Sequence, residues 1–457
     1  MIFRNKNKMH FIGIGGVGMS GIAEILINLG YTVTGSDLRE SEITAHLKKA
    51  GAEVFVGHYA SNVTDQNVVI TSTAIDPLNP EIIEARKRSI PIIHRSEMLA
   101  ELVRLKHGIG VAGTHGKTTT SSMLSSVLWS CGVNPTSIIG GKVLNFGSNA
   151  RKGEGDYIVF EADESDGSFL KLLPTIGVVT NIDADHLDYY KYFEGLKDAF
   201  LQYINHVPFY GYAVVCIDDP AVVSILPKIE RPYFTYGISE DADFRASDIR
   251  FEDGMTRYNC FFRDEYLGEV ALKLLGRHNV VNSLAVVTVA RELEIQFDCI
   301  QNGLAEFEGV GRRLEILGEA AGVTVIDDYG HHPTEISATL SAVKSLGRRV
   351  VTIFQPHRYS RTQLLWDEFG KSFTDTDILF LADIYPASET PIEGVTSALI
   401  ADSYMKHHGK EAQIIESFEK ISGIITDTVR EGDIVLTLGA GDIYRCGAEI
   451  LKLLEQR

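Results

Sequence analysis

Two glycine-rich turns, each set between an apolar run and a helix-compatible run, constrain this chain more than any other feature. Gly13-Ile14-Gly15-Gly16-Val17-Gly18 closes the apolar run 9–14 and leads into a helical pattern over 20–29 that stops at Gly30. Gly113-Thr114-His115-Gly116-Lys117-Thr118 follows the apolar run 109–112 and precedes a helical pattern over 120–128. A strand, a glycine turn and a helix in that order aim backbone N–H groups and the positive end of the helix dipole at a phosphate. One polypeptide thus carries two phosphate cradles, which points to an enzyme that brings a nucleoside triphosphate to a second nucleotide-bearing substrate.

In the second cradle Lys117 would reach the β and γ phosphates and Thr118 would place its hydroxyl on Mg²⁺. Val111 stands where the general G-x-x-x-x-G-K-[ST] pattern has its first glycine. A chance Gly-Lys-Thr in a loop would explain neither the strand before it nor the helix after it. The first cradle fits the dinucleotide fingerprint G-x-G-x-x-G, with Asp37 about 20 residues on, where a ribose-binding acid is expected. The fingerprint does not say which nucleotide is bound.

With 457 residues the chain exceeds one ordinary core, and at about 150 residues per domain it suggests roughly three. The net charge of −18 sets no basic field over the molecule, which argues against nucleic acid or an anionic membrane as partner. Arg4, Lys6 and Lys8 before an apolar stretch imitate a signal peptide, but Gly13, Gly15, Gly16, Gly18 and Gly21 interrupt the stretch and Glu24 ends it. No apolar run approaches the roughly 18 residues of a membrane helix. Cys131, Cys216, Cys260, Cys299 and Cys446 lack metal-ligand spacing and read as reduced cytoplasmic thiols.

From 9 to about 105 strand-like runs (9–14, 31–35, 52–56, 68–71) alternate with helical ones (20–29, 41–50, 80–88), the signature of a parallel, doubly wound sheet. In the middle segment the apolar runs 157–160 and 176–180 end at Glu161-Ala-Asp163-Glu164-Ser165-Asp166 and Asn181-Ile-Asp183-Ala-Asp185-His186. Ligands bind beyond the carboxyl ends of strands in such sheets, so carboxylates there suit Mg²⁺ beside a triphosphate. His186 reads equally as a structural histidine and as a site residue. A β-rich stretch over 212–275 suggests meandering surface strands. Asn279 and Asn282 share one helical face, where capping and ligand contact are equal alternatives. Alternation resumes after 311, with strands at 323–326, 350–354, 378–381 and 434–438. Polar clusters follow the first two of these, Asp327 to Pro333 and Gln355 to Arg361. Arg358 and Arg361, three apart, suit a carboxylate.

Nine motifs recur in one family order. HFIGIGGVGMSGIAEIL, AGTHGKTTT, EADESDGSFL, TNIDADHLDYY, GRHNVVN, GRRLE, DDYGHHPTE, QPHRYSRT and TLGAGDIYR together resemble the Mur ligases of bacterial peptidoglycan synthesis, nearest to the branch that adds L-alanine to UDP-N-acetylmuramate. The resemblance implies an α/β chain of three domains: a Rossmann-like UDP-sugar domain over 1–107, a P-loop ATPase-like domain over 108–310, and a Rossmann-like amino-acid domain over 311–457. It implies Gly15, Gly16 and Gly18 at the UDP phosphates, with Ser36, Asp37, Thr71, Ser72, Thr73, His94 and Arg95 around the rest of that substrate. ATP would lie on Gly113, Thr114, His115, Gly116, Lys117, Thr118 and Thr119, met by Asn279, Arg313 and Asp328. Thr118, Glu161 and His186 would hold Mg²⁺, and Lys117, Glu161, His186, Asn279 and Arg313 would serve catalysis. Tyr329, His331, Arg358 and Arg361 would surround the alanine. Several relatives carry a carbamylated lysine after the metal histidine. Here that neighbourhood is Ala199-Phe200-Leu201, with Lys197 earlier, so no modification is expected.

The implied reaction is ATP-dependent ligation through an acyl phosphate, with the last domain closing over the other two. Small molecules would be the partners of a cytoplasmic monomer or homodimer. Three other readings compete. A recycling ligase would add a preformed tripeptide to the same UDP-sugar, an NAD-dependent dehydrogenase would use the first fingerprint alone, and a nucleotide-switched binding module would catalyse no ligation.

Overall fold

Apolar runs that alternate with amphipathic helices bury both faces only inside a parallel sheet covered by helices. The computed structural model describes residues 7–252, 254–387 and 389–457, and there the runs build three such sheets. Arg4 and Lys6 lie outside the described residues.

The first sheet takes β1 (Lys8–Ile12), α1 (Val17–Asn28), β2 (Thr32–Asp37), α2 (Glu42–Ala50), β3 (Glu53–Val56), β4 (Val68–Thr71), α3 (Pro80–Lys87), β5 (Ile92–His94) and α4 (Arg95–Val103). Its order is β3-β2-β1-β4-β5, with every pair parallel. The chain leaves β1 toward β2 on one side and returns to β4 on the other. A crevice therefore opens at the carboxyl end of β1, where the first glycine turn lies. Ser41 caps α2 by a reciprocal bond with Thr44, and Gly51 ends it at φ 114°.

The second sheet begins with β6 (His107–Ala112), α5 (Lys117–Ser130), β7 (Thr136–Val143), β8 (Ser148–Arg151), β9 (Tyr157–Glu161), β10 (Ile176–Val179), α6 (Leu187–Tyr190) and α7 (Phe193–Asn205). It continues with β11 (Tyr212–Cys216), α8 (Pro220–Ile225), β12 (Tyr233–Gly237), β13 (Phe244–Glu252), β14 (Met255–Phe262), β15 (Glu265–Leu272), α9 (Arg277–Glu292) and α10 (Phe297–Glu306). The order is β15-β14-β13-β12-β11-β10-β6-β9-β7-β8. The expected surface meander over 212–275 needs correction at its start. β11 pairs parallel with β10 and carries fully buried Val214 and Val215, so it belongs to the core.

The third sheet takes β16 (Glu315–Ala320), β17 (Val323–Asp328), α11 (Pro333–Lys344), β18 (Val350–Phe354), α12 (Tyr359–Ser372), β19 (Ile378–Ala382), α13 (Ala398–His408), β20 (Gln413–Ile415), α14 (Phe418–Thr428), β21 (Ile434–Leu438) and α15 (Tyr444–Leu454). In the order β16-β17-β21-β18-β19-β20 only the edge strand β16 runs antiparallel. Val325, Ile353 and Ile450 pack one face; Leu340, Phe354 and Phe369 pack the other.

By packing, the chain falls into two units: the stretch ending at Asp248 with Tyr258–Ala271 and Val281–Glu308, and Ile249–Arg257 with Leu272–Val280 and Gly309–Arg457. The first sheet and the phosphate-loop strands share the first unit. One buried cluster runs from Phe11, Ile22 and Leu26 through Ile138 and Phe160 to Phe200 and Tyr203. Across this seam Ser148 donates to Glu24 at 2.9 Å and the Asn149 amide to the Val17 carbonyl at 2.8 Å.

The expectation of five reduced thiols fails at one pair. Cys131, just past α5, is disulfide-bonded to Cys299 in the first turn of α10, 168 positions away, with Cα atoms 5.8 Å apart. Helix packing is the reason: Gly303 lets α10 approach α5 closely at Val127 and Ser130, which brings the two helix ends together. Cys216, Cys260 and Cys446 are free and buried.

Candidate active site

The second glycine turn forms between β6 and α5. At Gly113 φ is 135°, and a Cβ there would stand 1.9 Å from Thr180 Oγ1, so backbone and packing both demand glycine. The end of β10 straps the turn in place. Asn181 accepts from the His115 N–H at 2.8 Å, Thr180 donates to the His115 carbonyl at 2.6 Å, and the Asp183 N–H donates to Thr114 Oγ1 at 2.9 Å. His115 Nε2 lies 2.9 Å from Asp183 Oδ2. Val111 sits fully buried in β6 between Val178 and Glu161, so the missing first glycine is a strand residue.

Lys117, Thr118 and Thr119 occupy the first turn of α5. The Lys117 ammonium lies back over its own turn, donating to the Gly113 carbonyl at 2.5 Å and to the Glu164 carboxylate at 2.8 and 3.0 Å. Burial works against its charge, but Glu164 and Asp163 prevail and hold it protonated. Burial also pushes the Asp163 carboxyl up, yet Lys117 and Arg95 hold it near about 2. Glu161 ends β9, with its carboxylate lying over Gly140 of β7 so closely that a Cβ there would stand 2.0 Å from Oε2. His186 adopts φ 56° and places Nε2 3.8 Å from Glu164 Oε1. The structure therefore gathers Lys117 and His186 around one carboxylate, Glu164, that the motif reading did not single out. Its sequence neighbourhood, EADESD, offers four acids and no sign of which one faces the lysine.

The first glycine turn is held from below. The Gly13 and Ile14 N–H groups donate to the Ser36 carbonyl at 2.8 and 3.0 Å, and the Gly15 N–H donates to Asp37 Oδ2 at 2.9 Å. Gly16 is the N-cap of α1, and Gly18 lies inside that helix beside the Arg95 guanidinium. Arg95 reaches into the phosphate-loop domain and pairs with Asp163 at 2.8 Å, while His94 Nε2 lies 3.8 Å from Asp166. Burial holds the His94 imidazole below its usual value. Thr71, Ser72 and Thr73 follow from the end of β4. The surroundings of the two glycine turns thus meet at Arg95 and Asp163.

In the second unit the polar residues after β17 and β18 converge. The Tyr329 and His331 rings are 5.3 Å apart, His331 and His357 are 5.8 Å apart, and His357 stacks on Tyr385 at 5.6 Å. Arg361 Nη1 lies 3.5 Å from His357 Nδ1, and Arg358, at φ 72°, donates its N–H to the Tyr385 carbonyl at 2.8 Å. Burial lowers His331 to about 4 and His357 to about 3, so both stay neutral. Asp328 accepts from the Gly330 and Leu314 N–H groups, both at 2.8 Å, and burial raises it to about 6. Arg313 lies over Tyr329 at 5.1 Å, and the Asn279 amide donates to the Leu275 carbonyl at 2.8 Å. Arg312, which the motif reading passed over, lies over Tyr329 at 5.0 Å and Tyr444 at 4.5 Å and donates to Asp327 at 3.0 Å. Only tertiary structure brings Tyr444 to it.

Three family models match in succession: "Mur ligase family, catalytic domain" over residues 8–107, "Mur ligase middle domain" over 111–290, and "Mur ligase, glutamate ligase domain" over 312–441. The chain belongs to the Mur ligase family. Among Mur ligases it is 54% identical, over 99% of its length and 95% of the relative's, to the UDP-N-acetylmuramate–L-alanine ligase of Syntrophus aciditrophicus. The crystal structure of the UDP-N-acetylmuramate–alanine ligase MurC of Thermotoga maritima shares 30% identity, covers 98% of this chain and 99% of that one, and superposes with a TM-score of 0.85. A murein peptide ligase of Psychrobacter arcticus, at 24% identity and a TM-score of 0.73 over 98% of this chain and 99% of that one, shares the Mur ligase fold.

Proposed function

We propose that this chain joins L-alanine to the lactyl carboxylate of UDP-N-acetylmuramate, with ATP going to ADP and phosphate, as a cytoplasmic step of peptidoglycan precursor synthesis. The observation that carries this reading is the 54% identity, over nearly the whole chain, to a relative of that name. The geometry supports it, because Arg95 of the first domain meets Asp163 beside the phosphate loop. Among the described residues no helix is long and apolar enough to cross a membrane.

Gly15, Gly16 and Gly18 would face the UDP phosphates, with Ser36, Asp37, Thr71, Ser72, Thr73, His94 and Arg95 around the rest of the sugar nucleotide. Gly113 to Thr119 would cradle the ATP phosphates, and Asn279, Arg313 and Asp328 would also contact ATP. The lactyl carboxylate attacks the γ phosphorus, anion on anion, and the Lys117 ammonium neutralises the approach and the charge growing on the leaving ADP. The Thr118 hydroxyl and the Glu161 carboxylate over Gly140 are oxygen donors that fit a hard divalent cation, and with the His186 imidazole beside them they would hold Mg²⁺. When bound, that ion supplies further neutralisation of the phosphates. Once the alanine ammonium has lost a proton, its neutral amine attacks the acyl carbon, the C–N bond forms as the C–O bond to phosphate breaks, and a second amine proton leaves with inorganic phosphate. Arg358 and Arg361 would hold the alanine carboxylate, and Tyr329 and His331 would wall the site. A neutral His331 adds no charge to repel the incoming ammonium.

The test is phosphate release with ATP, Mg²⁺ and UDP-N-acetylmuramate, comparing L-alanine with the muramyl tripeptide. Release with alanine and a product one alanyl residue heavier supports the reading. Release with tripeptide alone moves the chain to the recycling branch.

A further inference from the structure

Beneath the first glycine turn lies a buried polar cluster that shares only Ser36 with the residues assigned above. Glu81, in the first turn of α3, is fully buried, and its backbone N–H is capped by Asn79 at 2.9 Å. Its carboxylate accepts from Ser36 Oγ at 2.6 Å and from the Asn62 amide at 2.5 Å. Two imidazoles face the same oxygen, His58 Nδ1 at 3.5 Å and His10 Nε2 at 3.7 Å. His58 Nδ1 also lies 2.8 Å from Ser36 Oγ, and His10 Nδ1 lies 2.7 Å from Thr34 Oγ1. Burying a carboxylate is costly unless it is hydrogen-bonded, and here Ser36 of β2 and Asn62 of the segment after β3 donate to it, with the imidazoles of His58 and His10 next to it. Burial pushes the Glu81 carboxyl up, but His10, Ser36 and Asn62 prevail and hold it ionised.

The partners of Glu81 are the residues that shape the donor crevice. Ser36 presents its carbonyl to the N–H groups of Gly13 and Ile14, so fixing Ser36 fixes the glycine turn. Asn62 donates a second bond to the Gly57 carbonyl at 3.2 Å, and the Gly57 N–H donates to the Asp37 carbonyl at 2.7 Å. Asp37 in turn receives the Gly15 N–H. One carboxylate therefore ties the glycine turn and the 57–62 segment to a common anchor at the carboxyl edge of the first sheet.

We propose that Glu81 is a positioning residue of the sugar-nucleotide site, setting the glycine turn through Ser36 and the 57–62 segment through Asn62 and His58. This rests on the reading that the first cradle binds UDP-N-acetylmuramate. Glu81→Gln presents an amide N–H₂ where Ser36 or Asn62 must donate, so one donor loses its acceptor while shape is kept. The test uses the full chain and two independent readouts. In Glu81→Gln, amide hydrogen exchange at Gly13, Ile14 and Gly15 should quicken while exchange at Gly113 to Gly116 stays the same. The KM for UDP-N-acetylmuramate should rise about tenfold, with kcat and the KM values for ATP and alanine within about twofold. Asn62→Ala, which leaves the carboxylate and Ser36 in place, should show a smaller rise of the same kind and serves if Glu81→Gln does not fold. Unchanged exchange at the glycine turn, or a kcat loss with unchanged donor KM, overturns the proposal. If the unsubstituted chain neither binds nor uses UDP-N-acetylmuramate, the donor reading fails instead, and the exchange result still decides whether Glu81 holds the turn.

Discussion

Replacing Gly140 by alanine tests the metal assignment without touching a proposed ligand. The backbone at Gly140 is not left-handed, so alanine adds no backbone strain there, and the three atoms nearest the added Cβ all belong to the Glu161 carboxylate. It would stand 2.0 Å from Oε2 and 2.8 Å from Cδ, against an ordinary contact of 3.4 Å, so the carboxylate must retreat by about 1.4 Å. A metal–oxygen bond to Mg²⁺ is about 2.1 Å long and poorly tolerant of distortion, so that retreat removes Glu161 from the ion. The expected loss is about 10–100-fold in apparent metal affinity, or roughly 1.4–2.7 kcal/mol. Phosphate release at saturating ATP, UDP-N-acetylmuramate and alanine, titrated with free Mg²⁺, should show the half-saturating concentration rising by that factor. The forced retreat also costs packing energy of about 1–3 kcal/mol, so the unfolding midpoint is followed alongside to establish that the variant is folded at the assay temperature. A folded variant with the parent's Mg²⁺ dependence would refute the placement of Glu161 on the metal.

Lys117→Ala should cut phosphate release by about 10³-fold or more while calorimetric binding of UDP-N-acetylmuramate is unchanged; turnover within tenfold of the parent would sink the phosphate-loop assignment. Arg358→Ala removes a charge-assisted bond worth about 1.5–3 kcal/mol, so the alanine KM should rise roughly 10–100-fold, and an unaltered KM takes Arg358 out of the alanine site. His278, His331 and His357 are held neutral by burial at about 4, 4 and 3, below their unfolded value. Between those values and about 6.5 the unfolded chain binds protons that the native chain does not, so the stability of the second unit should fall as pH drops from about 6.5 to 4. Denaturant midpoints should show that fall, and a flat profile would contradict the buried neutral state.

What the sequence made legible was whatever depends on neighbours along the chain. The runs 350–354 and 434–438 became β18 and β21 with the same limits, because a strand buried on both faces is written as an unbroken apolar stretch. Gly113 to Thr118 was legible for the same reason, since a strand, turn and helix are contiguous. β5 and α4 went unread because Ile92–His94 is too short to stand out, although His94 and Arg95 within them were assigned. Glu81, Glu164 and Arg312 were invisible as participants, because their partners lie 45, 47 and 127 positions away at Ser36, Lys117 and Gly439. The Cys131–Cys299 bond escaped for that reason too: scattered cysteines carry no spacing signal when two packed helices, and not a loop, bring them together.

That bond gives the central domain a covalent topology distinct from its fold. Residues 131 to 299 form a closed ring through the sulfur bridge. Both acid-bearing strand ends, with Glu161 and His186, lie inside the ring, whereas Lys117 hangs outside it on the helix that leads into Cys131. A single backbone cut anywhere within the ring would open the loop yet leave every part of the molecule joined, so Glu161 and His186 stay in one covalent piece with Lys117 even when the chain inside the ring is severed.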